Sequence, residues 1–377
     1  MIFILVFLTS LAVVAFAIPP IITISFRKRL FDDPSEERKV HKRIIPNFGG
    51  VAIFSGFLFS CSLFIPFNLL PESNILMAGG LILFMIGLKD DLVGLSPLIK
   101  FIAQFTSAFI IAVVANVRIH DMNSLFGVRE IESYYSIILT VIFIVGIVNA
   151  YNLIDGIDGL ASSLGIVLTL IYAFLFFKAD ELGWAYLSLG LTGALIGFLF
   201  FNLTPAKIFM GDSGSLLLGF LASVLSIKFL NVYEAKHIMA GPFNISSGLS
   251  LVLSILIIPI FDTLRVFSLR ILKRKSPFTA DSNHVHHRLL FLGLSHIQST
   301  LILVLVNLLM VFIVLFFQPL GETQLVIILA TTVIGLNCML TFIIFKYKKS
   351  LLTRMDAVEL TPVKSFGERI LEKISQD

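Results

Sequence analysis

The sequence predicts an all-α, polytopic integral membrane protein of about eleven transmembrane helices, and three observations carry this. Hydrophobic residues make up 57% of the 377 and charged residues only 14%, against about 25% charged in an average soluble domain. The apolar residues run on almost without interruption over stretches such as 301–317, where an outer-membrane barrel would alternate in short, weakly apolar strands. Lys and Arg gather in alternate loops, the pattern that cytoplasmic loops leave. A crossing takes roughly 20 mostly apolar residues, so this content fills the crossings and leaves little for a separate soluble domain. It also excludes a disordered chain.

Taken in order, the apolar runs place spans at 2–22, 48–66, 75–88, 98–117, 136–149, 159–177, 183–201, 213–229, 249–269, 299–317 and 324–345. The first ends in Ala15-Phe16-Ala17, which resembles a signal-peptidase site. No basic leader precedes it and Arg27-Lys28-Arg29 follows, so the expectation is a retained span. With an external N-terminus, the loops at 23–47, 89–97, 150–158, 202–212 and 270–298 and the tail from 346 face the cytoplasm. Together with Lys100 they hold 22 of the 28 Lys and Arg. Five (Arg118, Arg129, Lys178, Lys228 and Lys236) fall on the outer side, and Arg265 lies within a span. The positive-inside rule then sets the orientation.

The net charge of +4 belongs to loops that meet membrane lipids, with no call for nucleic acid. Cys61 and Cys338 sit in separate apolar runs, unlike a disulfide framework. There is no internal repeat, so residues 1–345 read as one membrane domain and 346–377 as a cytoplasmic tail. In that tail Ser365 and Glu368 have capping-box spacing, and Phe366, Ile370, Leu371 and Ile374 share a helical face. Both a short amphipathic helix on the inner leaflet and a solvated tail stay open.

The unusual polar clusters all fall in loops assigned to the cytoplasm. The segment from His41 through Lys42 and Arg43 to Pro46, Gly49 and Gly50 combines basic charge with paired glycines, whose amides can approach an anion closely. A basic juxtamembrane loop also simply meets anionic lipid. Asp90 and Asp91 end the third span, with Lys100 nine residues on. Adjacent carboxylates repel unless a cation or protonated partner compensates, which suits metal binding or base catalysis; a solvated pair is the plain alternative.

The segment 149–160 packs Asn149, Asn152, Asp155, Gly156 and Asp158 between apolar helices without a positive charge. Carboxylates in such a place call for a cation or a donor-rich ligand, and capping explains one such residue rather than four. In 207–215, Asp212 opens the eighth span and is either a helix cap or functional. Phe209 either packs at the interface or stacks on a base. The longest loop carries Lys273-Arg274-Lys275 and then His284, His286, His287 and Arg288, a soft-metal site or an anion clamp. No Cys accompanies them and the carboxylate loops suit hard Mg²⁺, which favours phosphate over zinc. Asp262 and Arg265, one turn apart, read as a structural pair.

In this order, Pro46 with Gly49 and Gly50, the Asp90-Asp91 pair, Asn-Ala-x-Asn-Leu-x-Asp-Gly-x-Asp-Gly-Leu from Asn149, Phe-Met-Gly-Asp-Ser-Gly-Ser from Phe209, and the histidine loop resemble the polyprenyl-phosphate N-acetylhexosamine-1-phosphate transferases over nearly the whole chain. His-Val-His-His-Arg-Leu-Leu from His284 and Pro-Ile-Phe-Asp-Thr-Leu from Pro259 look like the WecA/TagO-like branch. In the peptidoglycan branch the histidine run continues into Phe-Glu, where Arg288-Leu289 stands here.

The resemblance implies transfer of N-acetylglucosamine 1-phosphate from its UDP donor to undecaprenyl phosphate with release of UMP. That is the first membrane step of a cell-surface polysaccharide such as O-antigen or teichoic acid. Another UDP-N-acetylhexosamine or UDP-muramyl-pentapeptide would undergo the same chemistry. The resemblance also implies Mg²⁺, with Mn²⁺ able to substitute, held by Asn152 and Asp212. Gly156, Asp158 and Phe209 would meet the nucleotide, and Lys100, His284, His286, His287 and Arg288 the diphosphate and sugar. Asp90 would act as base or lipid-phosphate activator, with Asp91 and Asp155 in support and Lys42, Gly49, Gly50 and Asn149 around them. It places the protein in the bacterial inner membrane with its site facing the cytoplasm, and is compatible with a homodimer. A transporter of an anionic solute would hold its site near the midplane on broken helices, whereas these motifs crowd one face. A silent scaffold would not need the full set of carboxylates, amides and cations.

Overall fold

The computed structural model describes residues 1–30, 45–125, 127–236, 238–240, 243–274 and 283–359, with the side chains of 123–124, 128–129, 240, 243 and 351–359 left aside. Lys42 and the proposed tail helix at 365–374 lie outside these residues. Residues Met1–Leu329 form one compact unit and Ala330–Asp377 a second.

Every apolar run is helical. The order is α1 (Ile2–Lys28), α2 (Gly49–Phe64), α3 (Ser73–Val93), α4 (Pro97–Phe109), extended by a π-helical turn at Ile110–Val114, α5 (Ser133–Ile154), α6 (Leu160–Lys178), α7 (Leu182–Asn202), α8 (Gly211–Ala235), α9 (Gly248–Ile255), α10 (Ile257–Leu272), α11 (Val285–Phe291), α12 (His296–Phe316) and α13 (Glu322–Glu359). Two small antiparallel hairpins interrupt them. In β1 (Asp121–Leu125) and β2 (Val128–Glu130), Asp121 faces Glu130; in β3 (Met239–Ala240) and β4 (Phe243–Asn244), Met239 faces Asn244. Eight helices are long and apolar enough to cross a membrane alone, and nine crossings result if α9 and α10 count as one. Of the other two expected spans, α2 has 16 residues and α3 ends in Lys89, Asp90 and Asp91.

Helix α8 is the centre of the first unit. All its residues from Ser213 to Val232 except Lys228 and Asn231 are buried, and α2, α3, α5, α6 and α9 pack on it. Helix α1 lies on α2 and α7, α7 on α6, and α4 joins α3 to α5. Short starts are locally encoded: Pro97 occupies the first turn of α4 after Ser96, where its missing N–H costs nothing. Ser295 and Gln298 close a full capping box on α12.

The one expected span at 249–269 is instead two helices bent by 72° at Leu256. Pro259 is the physical reason, because it has no N–H for the carbonyl four residues earlier, that of Ile255. Asn307 of α12, 1% exposed, supplies the donor: its Nδ2 lies 3.1 Å from the Ile255 carbonyl and 3.0 Å from that of Ser254. At the other end, the Glu322 carboxylate accepts the Leu249 and Ser250 amides at 3.0 and 2.8 Å. The bend turns α10 onto α5. Asn307→Leu leaves the Ile255 carbonyl without its side-chain partner and is expected to cost about 1–3 kcal/mol. Thermal unfolding in detergent measures it, and an unchanged midpoint would show that the bend needs no such donor.

Candidate active site

The loops that follow α3, α5, α7 and α10 converge at one end of the first unit. Asp90 and Asp91 leave the last turn of α3 in different directions. Asp91 turns to α8, where Oδ1 accepts the Asp212 amide at 2.7 Å and Oδ2 the Ser213 amide at 3.0 Å. It is a helix cap supplied by another helix, satisfying donors that α8 cannot satisfy itself. The turn into α8 requires Gly211, at φ +71°, because a Cβ there would run into the Asn47 carbonyl and the Asp91 carboxylate. Asp212 is therefore not the cap of its own helix; its side chain is free to face the site.

Asp90 is fixed by the Leu95 amide, which donates to Oδ1 at 2.7 Å. Lys100, on the first turns of α4, bridges Asp90 at 2.6 Å and Asp212 at 2.7 Å. From α5, Asn152 Nδ2 donates to Asp212 Oδ1 at 3.0 Å and to Ser215 Oγ at 2.9 Å. One turn from Lys100 and one from Asn152, Gln104 and Asn149 face each other; Asn149 Nδ2 donates to Gln104 Oε1 at 2.6 Å.

Beside this chain lies a cavity of about 730 Å³. Its polar end is lined by Lys100, Asn152, Asp155, His284, His286 and His287, and its apolar wall by Phe101, Phe105, Ile142, Val145 and Phe267. Burial, with the charges of Asp212, Asp91 and Asp158, holds the Asp155 carboxyl well above the usual carboxylate range. His286 is 1% exposed and neither ring nitrogen has a partner among the described residues. Its ring rests on Gly156, where a Cβ would strike it. Burial, then His287, pushes the His286 imidazole down to about 3. Across the cavity, Asp262 pairs with Arg265 at 3.2 Å as the sequence suggests, and also with His284 Nδ1 at 2.8 Å.

Not every expected residue reaches the cavity. Asp158 is buried behind it: Oδ2 accepts the Ala206 amide at 3.3 Å, Oδ1 lies 3.4 Å from His296 Nδ1, and its carbonyl accepts Thr300. Phe209 and Arg288 do not line the cavity either, nor do Asp90, Asp91 and Asp212, of which Asp90 and Asp212 connect to it through Lys100. The expectation that Gly49 and Gly50 offer their amides to an anion is corrected. Those amides donate to the carbonyls of Phe209 and Met210 at 2.9 and 2.8 Å, while the Phe209 amide returns to Pro46. The glycines let α2 meet the segment before α8. Among the described residues no three His, Cys, Asp or Glu converge as a metal cluster.

The glycosyl transferase family 4 profile matches residues 73–230. A protein of Bacillus subtilis (strain 168), named a "probable undecaprenyl-phosphate N-acetylglucosaminyl 1-phosphate transferase", is 35% identical over 80% of this chain and 81% of its own. This chain belongs to glycosyl transferase family 4. Two other members are the decaprenyl-phosphate N-acetylglucosaminephosphotransferase of Mycolicibacterium smegmatis (strain ATCC 700084 / mc(2)155) and the undecaprenyl-phosphate alpha-N-acetylglucosaminyl 1-phosphate transferase of Thermotoga maritima (strain ATCC 43589 / DSM 3109 / JCM 10099 / NBRC 100826 / MSB8). The first is 34% identical over 79% of this chain and 78% of its own, the second 30% over 73% and 78%. The family 4 match spans Asp90, Asp91, Lys100, Asn149 to Asp158, Phe209 and Asp212, and ends before the bent α9–α10 arm and the histidine loop.

Sequence reasoning missed Gln104 and the second role of Asp262. A single amide one turn after Lys100 in an otherwise apolar span was the available signal for Gln104. The buried His286 makes a pH prediction. An unfolded chain protonates a histidine near its ordinary value of about 6.5, while the folded chain keeps His286 neutral down to about 3. The stability tied to this group is full above about pH 6.5 and is lost as pH falls toward the folded value, by about 2 kcal/mol at about pH 5. Unfolding of the wild type and of His286→Gln at about pH 7 and pH 5 should show the wild type losing ground to the variant by that amount; a constant difference would refute it.

Proposed function

We propose that this transferase moves N-acetylglucosamine 1-phosphate from UDP-N-acetylglucosamine to undecaprenyl phosphate, giving the lipid diphosphate sugar and UMP. One observation carries the reading: the cavity that reaches Lys100, the cation bridging Asp90 and Asp212, also has an apolar wall with exposed side chains. Phe105 and Ile142 on that wall are 47% and 59% exposed on helices long enough to span a bilayer. A lipid phosphate can enter along that wall with its tail still in hydrocarbon, while a nucleotide arrives at the polar end. The names of the relatives, which specify polyprenyl phosphates and N-acetylglucosamine, support the same pair of substrates.

A hard divalent cation fits the donor set. Asp155 is held protonation-prone by burial and by carboxylates around it, a repulsion that a cation relieves, and the nearby groups are oxygen donors suited to Mg²⁺. Asn152 and Asp212 would hold it, and when bound it would screen the donor diphosphate and polarise the attacked phosphorus. The chain's own groups do the rest. Lys100 neutralises phosphate charge, and Asp90, fixed by Leu95 and Lys100, positions the acceptor and removes its residual proton. A phosphate monoester has its second pKa near about 6, so the acceptor is largely dianionic at neutral pH and attacks directly.

Purified protein given undecaprenyl phosphate and a panel of UDP-sugars should yield a lipid diphosphate with the mass of the N-acetylglucosamine product. Chelation should stop turnover, Mg²⁺ or Mn²⁺ should restore it, and Asp212→Ala should lower it about 10²–10³-fold with helicity unchanged. A different sugar in the product would reassign the donor, and no lipid product would overturn the reading.

We further propose that the site faces the cytoplasm of a bacterial inner membrane, on the strength of the uneven Lys and Arg distribution. In a Cys338→Ser background, a cysteine at Ser96 should react only with reagents that reach the cytoplasm and one at Ser124 from outside. The reverse labelling would invert the orientation.

A further inference from the structure

The histidine loop is anchored by one carboxylate, and the manner of anchoring distinguishes the two nitrogens of one ring. Asp262 on α10 is 2% exposed and His284 4%. Asp262 Oδ2 lies 2.8 Å from His284 Nδ1. Oδ1 accepts the Val285 amide at 2.9 Å and Arg265 at 3.2 Å. Arg265 donates in turn to the Asn283 carbonyl, so the start of α11 is tied to α10 on both sides of His284. The His284 ring lies parallel to that of His286, at 10° and 5.7 Å, and lines the cavity.

An ionised carboxylate only accepts hydrogen bonds, so its contact requires a proton on Nδ1. That leaves Nε2 as the nitrogen available to the cavity. The charged and titratable groups near the Asp262–His284 pair include Arg265 and Arg270 from α10 and His286, His287 and Arg288 from α11. Asp262 is the anion among them.

We infer that Asp262 is a positioning residue that orients His284 by holding Nδ1–H, so that in the nucleotide complex the ring lies between two anions, a proton on each nitrogen, and donates from Nε2–H to a phosphate oxygen of the nucleotide diphosphate. The identity of that phosphate rests on the reading under Proposed function; the orientation of the ring does not. The same arrangement recurs wherever a buried carboxylate holds an imidazole for work at its far nitrogen.

Asp262→Asn tests this with little change of shape. Two donors converge on Oδ1, so the asparagine oxygen stays there and its NH₂ faces His284 Nδ1. The ring must then accept at Nδ1 and carry its one proton on Nε2, so it faces the phosphate uncharged and the bond loses its charge assistance. Nitrogen-15 NMR of the full chain with labelled histidine, His284 being assigned by its loss in His284→Gln, should show Nδ1 protonated in the wild type and Nε2 protonated in Asp262→Asn. A wild-type ring with Nδ1 unprotonated would overturn the inference even if the variant failed to fold.

Kinetics give the second arm. Asp262→Asn and His284→Gln should each raise KM for UDP-N-acetylglucosamine about tenfold, the loss of one charge-assisted bond, with kcat altered less than about threefold. The double variant should be no worse than His284→Gln alone, because Asp262 acts through that ring. Additive losses, or a normal KM in Asp262→Asn, would overturn it. If no transferase activity is found at all, the functional reading falls and the NMR result decides the orientation by itself.

Discussion

The Asp91 carboxylate on the first amides of α8 is the contact on which the rest of the site depends. A helix that starts inside a packed, apolar bundle has N–H groups that neither water nor its own chain can satisfy. Asp91 satisfies two of them, and in doing so sets where the central helix begins. Because α8 is packed by five other helices, its starting point fixes Asp212 and Ser215, and through them the partners Lys100 and Asn152. The adjacent aspartates thus divide the labour: one holds the backbone and its neighbour faces the site.

The same constraint recurs along the arm that closes the cavity. The amides that open α9 are met by Glu322, the carbonyls at the break by Asn307, and the amide that opens α11 by Asp262. Each partner comes from a different helix. Side chains that would be expensive in hydrocarbon are there because a broken or terminating helix is more expensive without them. Asp262 carries this one step further, since the carboxylate that ends one backbone problem also faces His284.

How much of this was legible follows from the same energetics. Span positions were readable because hydrocarbon tolerates few polar residues, so apolar runs mark helices directly. The 72° bend was not, since Pro259 lies inside an unbroken apolar run and its compensating donor, Asn307, is far away in sequence. The loop carboxylates and amides stood out by their cost. Which of them face the cavity did not: Asp158 has the same composition signal as Asp155 but is turned to Ala206 and His296. Gly49 and Gly50 were ambiguous in kind, because a glycine pair serves an anion cradle and a close backbone contact equally well, and hydrogen-bond partners decide between them.

Electrostatics then limits what such a site can do. Asp90, Asp91, Asp155 and Asp212 surround a region where Lys100 already bridges two of them. Burial first, and then the charges of Asp212, Asp91 and Asp158, drive the Asp155 carboxyl well above its ordinary range. Both substrates of a sugar-phosphate transfer are anions, and each would meet repulsion from these carboxylates as well as from the other. An acidic site that accepts phosphates must therefore gain positive charge as they enter. The histidine loop lines the same cavity, with His284 held by Asp262 and His286 neutral in its buried position. Catalysis in this arrangement is chiefly the organisation of charge, with the covalent change left to the reacting phosphates themselves.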